Sequence, residues 1–127
     1  MPPEKWVTVD VISCAAPNLR RKPANRYNPE RGQTVSITSD ELRQIHEQRA
    51  KSILSAAAGN GADILVLGAF GCGAFSNDPK VVAKAYSNVL KDYSKYFDLI
   101  EFAVFCREYE TENYDVFAEV LAKQTRL

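Results

Sequence analysis

The fold is decided by one stretch of the sequence, Ile64-Leu-Val-Leu-Gly-Ala-Phe-Gly-Cys-Gly-Ala-Phe-Ser-Asn-Asp-Pro79. Its first four residues form a continuous apolar run, which is typical of a central parallel strand covered on both faces. Its last three residues provide a helix N-cap and a proline for the first helical turn. Three glycines lie between these ends, so the stretch predicts a strand, a glycine-rich loop and a helix in direct succession.

Further strand and helix patterns flank this stretch on both sides. The segment Trp6-Val-Thr-Val-Asp-Val-Ile-Ser13 alternates in polarity and predicts a half-buried strand, and Leu99-Ile-Glu-Phe-Ala-Val-Phe105 predicts a buried one. Thr38-Ser-Asp-Glu41 is a capping box, so a helix begins there and ends near Gly59-Asn-Gly61. A last helix is expected to begin near Asn113. The order β-α-β-α-β-α predicts an α/β fold with a mostly parallel sheet and right-handed crossovers.

The predicted sheet is small for its class. Parallel sheets are normally covered on both faces in a three-layer α/β/α arrangement, and three strands give such a sheet little area. We therefore expect residues 1–127 to be a single domain that forms part of something larger. A partner chain or a second copy in a homodimer would complete the sheet.

A long basic loop is predicted at residues 15–37, between the first strand and the first helix. It has three prolines and no periodicity, and loops of this length are usually functional or mobile. It leaves the same edge of the sheet as the glycine-rich loop, so contact with phosphates of a polymeric substrate and simple solvation are both open. Its basic residues are Arg20, Arg21, Lys22, Arg26 and Arg31.

The composition excludes several classes of protein. The 127 residues carry 16 Lys or Arg and 16 Asp or Glu, so the net charge is zero and specific nucleic-acid binding is not indicated. No apolar run reaches the roughly 20 residues of a membrane span. Cys14, Cys72 and Cys106 lack CxxC spacing, which predicts free thiols in the cytoplasm. The single histidine, His46, is expected to face solvent, and neither a metal nor a cofactor is predicted.

The glycine-rich loop is a candidate anion site. Its glycines leave main-chain amides uncovered between the end of a strand and the start of a helix, where an anion is favoured. Gly73 is followed by Ala74, which excludes a Walker A loop, and Ser76 stands where GxGxxG needs a glycine. A tight turn that binds nothing is the alternative interpretation.

Four segments occur in a characteristic order: AAPN within residues 9–19, GAFGCGAF and NDP within 67–79, EFAVFC at 101–106 and NYDVF at 113–117. Together they resemble the C-terminal half of the microbial-type poly(ADP-ribose) glycohydrolase family, whose members carry a macrodomain. The resemblance covers essentially the whole chain. It implies that the loop wraps the diphosphate and distal ribose of ADP-ribose. The implied backbone donors are Gly71, Cys72, Gly73 and Ala74, and the implied ribose-orienting ring is Phe75.

The resemblance also identifies what this sequence does not contain. The family's catalytic loop is a glycine triplet followed by a Gln-Glu-Glu run, and here there is no Gly-Gly pair and no pair of adjacent glutamates. No catalytic residue is therefore predicted, and a general acid would have to come from another chain or from a longer parent protein. Asp78 is expected to cap a helix, and Cys72 to have a structural or ligand-contact role rather than that of a nucleophile.

Three functions are compatible with these patterns. The first is an ADP-ribose- or poly(ADP-ribose)-recognising macrodomain fragment of the glycohydrolase type, whose activity as an enzyme is left open. The others are a non-catalytic nucleotide-diphosphate binding module and a ligand-free assembly or remnant domain. At the end of the last strand, Tyr109 and Phe105 could stack on an adenine, although core packing is favoured for Phe105. Cys14 and Cys106 are expected to be small core residues.

Overall fold

The computed structural model describes residues 1–21 and 35–123. Its elements are α1 (Ser39–Gly59), β1 (Ile64–Leu67), α2 (Pro79–Tyr93), β2 (Leu99–Phe102) and α3 (Glu112–Ala122), with 3-10 turns at Pro3–Lys5 and Ser94–Tyr96. The predicted α/β class is confirmed. Most of the predicted basic loop, with Lys22, Arg26 and Arg31, lies outside the described residues.

The helices begin at the predicted caps. The Glu41 amide donates to Thr38 Oγ1 at 3.2 Å and the Thr38 amide donates to the Glu41 carboxylate at 3.0 Å, so the capping box of α1 is complete. These hydrogen bonds to Thr38 lower the pKa of Glu41. The Asp78 carboxylate accepts from the Lys80 amide at 2.9 Å and caps α2, as predicted. None of the described helices is long and apolar enough to cross a membrane.

Helix α2 is the centre of the core, since it packs against both α1 and α3. Tyr86 of α2 is buried, and its ring meets that of Phe102 edge-on at 5.7 Å. The Phe102 ring in turn lies 5.7 Å from that of Phe117 in α3. Burial raises the pKa of the Tyr86 hydroxyl. The other members of this buried cluster are Ala50, Leu54, Ala57, Leu65, Val82, Ala83, Val89 and Leu90.

The sheet of the described residues has two parallel strands, with Ile64 opposite Leu99 and Leu67 opposite Phe102. Side chains alternate across a sheet, so its two faces can be compared directly. One face, with Leu65 and Ile100, packs against the helical core. The other carries Ile64, Val66 and Leu99, which are exposed, Val66 by 62%. We call these three residues the open sheet face. The described helices thus cover one side of the sheet.

The strand predicted at residues 6–13 does not form, so that prediction is wrong. This N-terminal segment has no strand assignment and no ladder hydrogen bond to β1 or β2 in the described chain. Its alternating valines, Val7, Val9 and Val11, are all exposed, and Trp6 is 69% exposed. A strand requires a neighbour that satisfies its backbone groups, and alternation in the sequence does not supply one. The strand predicted at residues 99–105 is also shorter than expected and ends at Phe102.

Candidate functional site

The glycine-rich loop, residues 68–78, connects β1 to α2 and is closed by its own backbone. The Phe70 amide donates to the Gly68 carbonyl at 2.9 Å, and the Cys72 amide donates to the Ala69 carbonyl at 3.0 Å. Further along, the Ser76 and Asn77 amides donate to the Gly73 and Gly71 carbonyls, each at 3.0 Å. The amide of Cys72, one of the predicted ligand donors, is therefore already engaged inside the loop.

The other amides of the loop centre are unused. In residues 1–21 and 35–123, the N–H groups of Gly71, Gly73, Ala74 and Phe75 donate no hydrogen bond. Gly73 and Ala74 are exposed. An exposed amide without an internal acceptor can donate to a bound anion at no cost to the fold. Three of the four predicted backbone donors thus lack an internal acceptor in the described chain, and two of them, Gly73 and Ala74, are also exposed.

The two glycines at the centre of the loop serve different purposes. Gly71 has a φ of +76°, and a Cβ there would lie 2.7 Å from Ala16 Cβ and 2.9 Å from Asn77 Nδ2. A side chain at Gly71 is therefore excluded by both conformation and space. A Cβ at Gly73 would meet nothing within 4 Å. Gly73 is not needed by the packing, and its bare backbone leaves open surface.

Asn77 ties the loop to the segment that precedes the basic residues. Its Nδ2 donates to the carbonyls of Pro17 at 2.7 Å, Gly71 at 2.9 Å and Phe75 at 3.2 Å. Leu19 adds a bond from its amide to the Phe75 carbonyl at 2.9 Å. The sequence marks Asn77 only as part of a helix start. Its partners could not be predicted, because Pro17 is 60 residues away.

His46 is buried, with none of its surface exposed, so the prediction that it faces solvent is wrong. Its Nε2 lies 2.8 Å from Asn77 Oδ1, and its ring meets the Phe70 ring edge-on at 5.7 Å. Burial lowers the pKa of the imidazole, the bond to Asn77 opposes this, and nearby Arg49 lowers it further. The sequence did contain a signal, since His46 lies four residues from both Leu42 and Ala50, which are buried on the same helix face.

A groove of about 760 Å³ separates the loop from the chain that follows β2. The Asn113 side chain spans its floor, because Nδ2 donates to the Cys72 carbonyl at 3.3 Å. Cationic Lys80 and Arg107 line it together with three carboxylates. It lies beyond the carboxyl ends of both parallel strands, where open α/β sheets bind ligands. The other lining residues are Cys72, Gly73, Ser76, Asn77, Asp78, Pro79, Phe105, Cys106, Glu110, Glu112 and Asn113.

Comparison with solved structures connects this arrangement to one family. The chain is similar to a poly(ADP-ribose) glycohydrolase from Deinococcus radiodurans in complex with ADP-ribose, with a TM-score of 0.62 and 30% identity over 67% of this chain and 35% of that one. It is also similar to the enzyme from Thermomonospora curvata, with a TM-score of 0.62 and 34% identity over 66% of this chain and 32% of that one. The resemblance to the microbial poly(ADP-ribose) glycohydrolases is confirmed.

The macrodomain-like and partial character of the fold is confirmed by the same matches. The chain spans about a third of the length of the glycohydrolase structures that it matches. No family model matches the chain, and no curated protein matches it significantly.

The residues that the glycohydrolase resemblance selects lie on two sides of the loop. Cys72 and Gly73 line the groove. Gly71 faces inward against Ala16 and Asn77. The Phe75 ring lies on the side of residues 19–20, with the Arg20 guanidinium carbon 5.7 Å from the ring centroid. The predicted ligand roles of these residues stay predictions, and the groove adds Arg107, Lys80 and Asn113, which sequence reasoning did not select.

The Cys72 thiol is not poised for nucleophilic attack. Burial raises its pKa to about 12, with a further contribution from the Asp78 carboxylate. A thiol with a raised pKa is protonated near neutral pH, whereas a nucleophile must be a thiolate. The predicted structural or ligand-contact role therefore fits the environment of this cysteine. No three His, Cys, Asp or Glu side chains of the described residues are grouped to hold a metal ion.

Two predicted core residues lie outside the core. Phe105 is 89% exposed and lines the groove, so core packing was the wrong prediction for it. Cys14 is exposed, whereas Cys106 is half-buried. Both errors have one cause: residues 6–13 form no strand and β2 ends at Phe102, so no sheet holds Cys14 or Phe105 in the core. Tyr109 is also exposed, and its hydroxyl accepts from the Arg107 guanidinium at 2.8 Å.

Proposed function

We propose that this chain binds ADP-ribose, or the ADP-ribose units of poly(ADP-ribose), with the diphosphate on residues 71–75. One observation carries the proposal: the amides of Gly71, Gly73, Ala74 and Phe75 have no internal acceptor in the described chain and lie just ahead of α2. Unpaired amides before a helix favour a phosphate group. The similarity to a glycohydrolase crystallised with ADP-ribose supports the same ligand.

The two ends of the ligand would use different sides of the loop. Phe75 orients the ribose next to the diphosphate, a role carried over from the family resemblance. The exposed Phe105 ring borders the groove and offers its face to an adenine. Lys80 and Arg107 in the groove offset part of the charge of the diphosphate, which the carboxylates of Asp78, Glu110 and Glu112 oppose.

The chain by itself is proposed to be a binding module. It has no adjacent glutamates, and cleavage of the glycosidic O-linkage between ADP-ribose units requires a carboxylic acid to protonate the departing ribose oxygen. A second polypeptide, or another part of a longer parent protein, that brought this acid to the bound ligand would complete a glycohydrolase with an oxocarbenium-like transition state. Binding then comes from this chain, and proton transfer comes from the other.

Calorimetric titration with ADP-ribose tests the proposal directly. Gly73→Val places a branched side chain over the unpaired amides without clash, because the space at Gly73 is open. We expect it to weaken ADP-ribose binding by more than about tenfold. The matched control is Gly59→Val, which is also open at its Cβ but lies at the end of α1. Equal affinity in wild type and Gly73→Val would overturn the assignment of the loop.

Release of ADP-ribose from poly(ADP-ribose) separates binding from catalysis. We expect the chain alone to bind the polymer and release no ADP-ribose, since it lacks the acidic pair. Release by the purified chain would show that one of its own carboxylates acts as the acid. Glu110→Gln and Glu112→Gln, both in the groove, would then identify it.

A second candidate function, as an assembly module, is favoured by the open sheet face. Ile64, Val66 and Leu99 are exposed beside the free edges of a two-stranded parallel sheet, a class that is normally covered on both faces. A partner chain or a second copy would cover them. Sedimentation of the purified chain across a concentration series distinguishes a second copy from a partner chain. Val66→Lys should abolish any self-association. Val35→Lys, at another exposed valine, is the control.

The same proposal includes two coarser expectations. Residues 1–127 act as one macrodomain-like domain, with the basic loop of residues 15–37 within it. The chain works in the cytoplasm, because Cys14, Cys72 and Cys106 are free thiols, as expected in a reducing compartment.

A further inference from the structure

His46 and Asn77 form a buried polar pair beneath the glycine-rich loop. His46 Nε2 lies 2.8 Å from Asn77 Oδ1, and Asn77 is only 2% exposed. The residues are 31 positions apart and come from α1 and from the loop. The second imidazole nitrogen, Nδ1, is buried without a hydrogen-bond partner among the described residues. A polar pair at such a position needs a reason, because an apolar pair would pack without any unsatisfied nitrogen.

The hydrogen bonds of Asn77 fix which groups donate. Its amide nitrogen lies within 3.2 Å of three carbonyl oxygens, which can only accept. The side-chain oxygen must then be the atom that faces His46, so the imidazole carries its proton on Nε2 and donates. Nδ1 is left as a buried lone pair without a partner among the described residues, on a ring that meets Phe70 edge-on, and burial lowers the pKa of the imidazole.

We propose that His46 is a positioning residue for the ligand loop: its Nε2–H holds the plane of the Asn77 amide, and Asn77 in turn holds the loop carbonyls. Asn77 Nδ2 donates to the carbonyls of Gly71 and Phe75, the first and last of the five residues 71–75, on which the diphosphate is proposed to bind. With these carbonyls bound to Asn77, they do not accept from the amides of Gly73 and Ala74, which donate no hydrogen bond within the described chain. The loop thus keeps its ligand-free shape ready for an anion.

An apolar residue at position 46 would remove the hydrogen bond that orients the Asn77 side chain. Asn77 Oδ1 would lose its donor inside the core, and a buried acceptor without a partner is costly. The amide could then rotate to seek another donor, and its grip on the three carbonyls would be lost. The part of this inference that concerns ligand affinity rests on the proposed function, whereas the part that concerns loop order does not.

The test compares three variants of the full chain by amide hydrogen exchange and ADP-ribose titration. His46→Phe keeps an aromatic ring against Phe70 but has no donor, whereas His46→Gln retains an N–H donor. Ile53→Val is the control, because Ile53 is buried on the same helix and has no bond to Asn77. The exchange readout is the protection of the Ser76 and Asn77 amides, which close the loop, relative to amides in the middle of α2.

We expect His46→Phe to speed amide hydrogen exchange at Ser76 and Asn77 by about tenfold relative to α2. It should weaken ADP-ribose binding by a similar factor. His46→Gln should restore part of both, and Ile53→Val should alter neither. Exchange that rises equally in the loop and in α2, or no rescue by glutamine, would overturn the positioning role. If wild type bound no ADP-ribose but the loop exchange behaved as expected, the proposed function would fail and the positioning role would stand.

Discussion

The glycine-rich loop and the N-terminal segment 6–13 are both marked by clear sequence patterns, yet only the loop adopts the predicted structure. The loop closes through its own backbone bonds and is gripped again by Asn77. The N-terminal segment has a regular alternation of valines and no ladder bond in the described chain. The difference lies in the distance along the chain to the hydrogen-bond partners. The backbone acceptors of the loop are a few residues away, whereas a strand needs a neighbouring strand from a distant part of the sequence.

The largest expected effect is the removal of the Asn77 side chain. Asn77→Ala loses three bonds to carbonyls and leaves His46 Nε2 without an acceptor. We expect the free energy of unfolding to fall by about 3 kcal/mol in urea denaturation. Asn88→Ala, which removes a single bond to Glu47, is the comparison and should cost about 1 kcal/mol. Equal losses in the two variants would mean that the loop is not held by Asn77.

The two loop glycines should differ by a smaller amount. Gly71→Ala forces a side chain into a positive φ and against Ala16, so it should lower the free energy of unfolding by about 2 kcal/mol. Gly73→Ala has open space and should change it by less than about 0.5 kcal/mol. Thermal melts of the pair measure this, and similar melting temperatures would show that the loop tolerates a different path.

A further difference should appear as the pH falls. Folding lowers the pKa of His46 below the ordinary value of 6.5, so the unfolded chain takes up a proton that the folded chain resists. The contribution of neutral His46 to the free energy of unfolding is fully present above pH 6.5 and is lost as the pH falls through the pKa of the folded state. Urea midpoints should therefore decrease from about pH 7 to pH 5.5 in wild type and decrease less in His46→Gln. Parallel profiles would contradict a neutral buried imidazole.

The smallest effect is expected in the N-terminal segment. Val9→Thr should leave the free energy of unfolding within about 0.5 kcal/mol of wild type, because Val9 is exposed. Val82→Thr makes the same change at a fully buried position of α2 and should cost about 2 kcal/mol. A large loss in Val9→Thr would mean that the segment is paired in solution.

What the sequence predicts well is local. The Thr38 capping box, the Asp78 cap and the two apolar strands depend on residues within one turn of each other or on a continuous apolar run, and all are present. The prediction that these strands are buried is wrong for one face of the sheet, where Ile64, Val66 and Leu99 are exposed. The contacts of Asn77 with His46 and Pro17 span 31 and 60 residues, which no local pattern encodes, although the spacing of His46 from Leu42 and Ala50 did indicate its buried face. The alternation at residues 6–13 indicates which side chains of a strand would face a core. It does not identify the neighbouring strand or the surface that would cover them.

The single tryptophan of the chain gives the N-terminal segment a natural optical label. Trp6 is exposed, with its indole N–H donating to the Met1 carbonyl at 3.1 Å, and is not a member of the buried cluster around Tyr86. Its emission will scarcely register loss of the core, so global denaturation is better followed by circular dichroism. A blue shift of that emission at constant ellipticity would instead indicate that another surface covers the N-terminal segment.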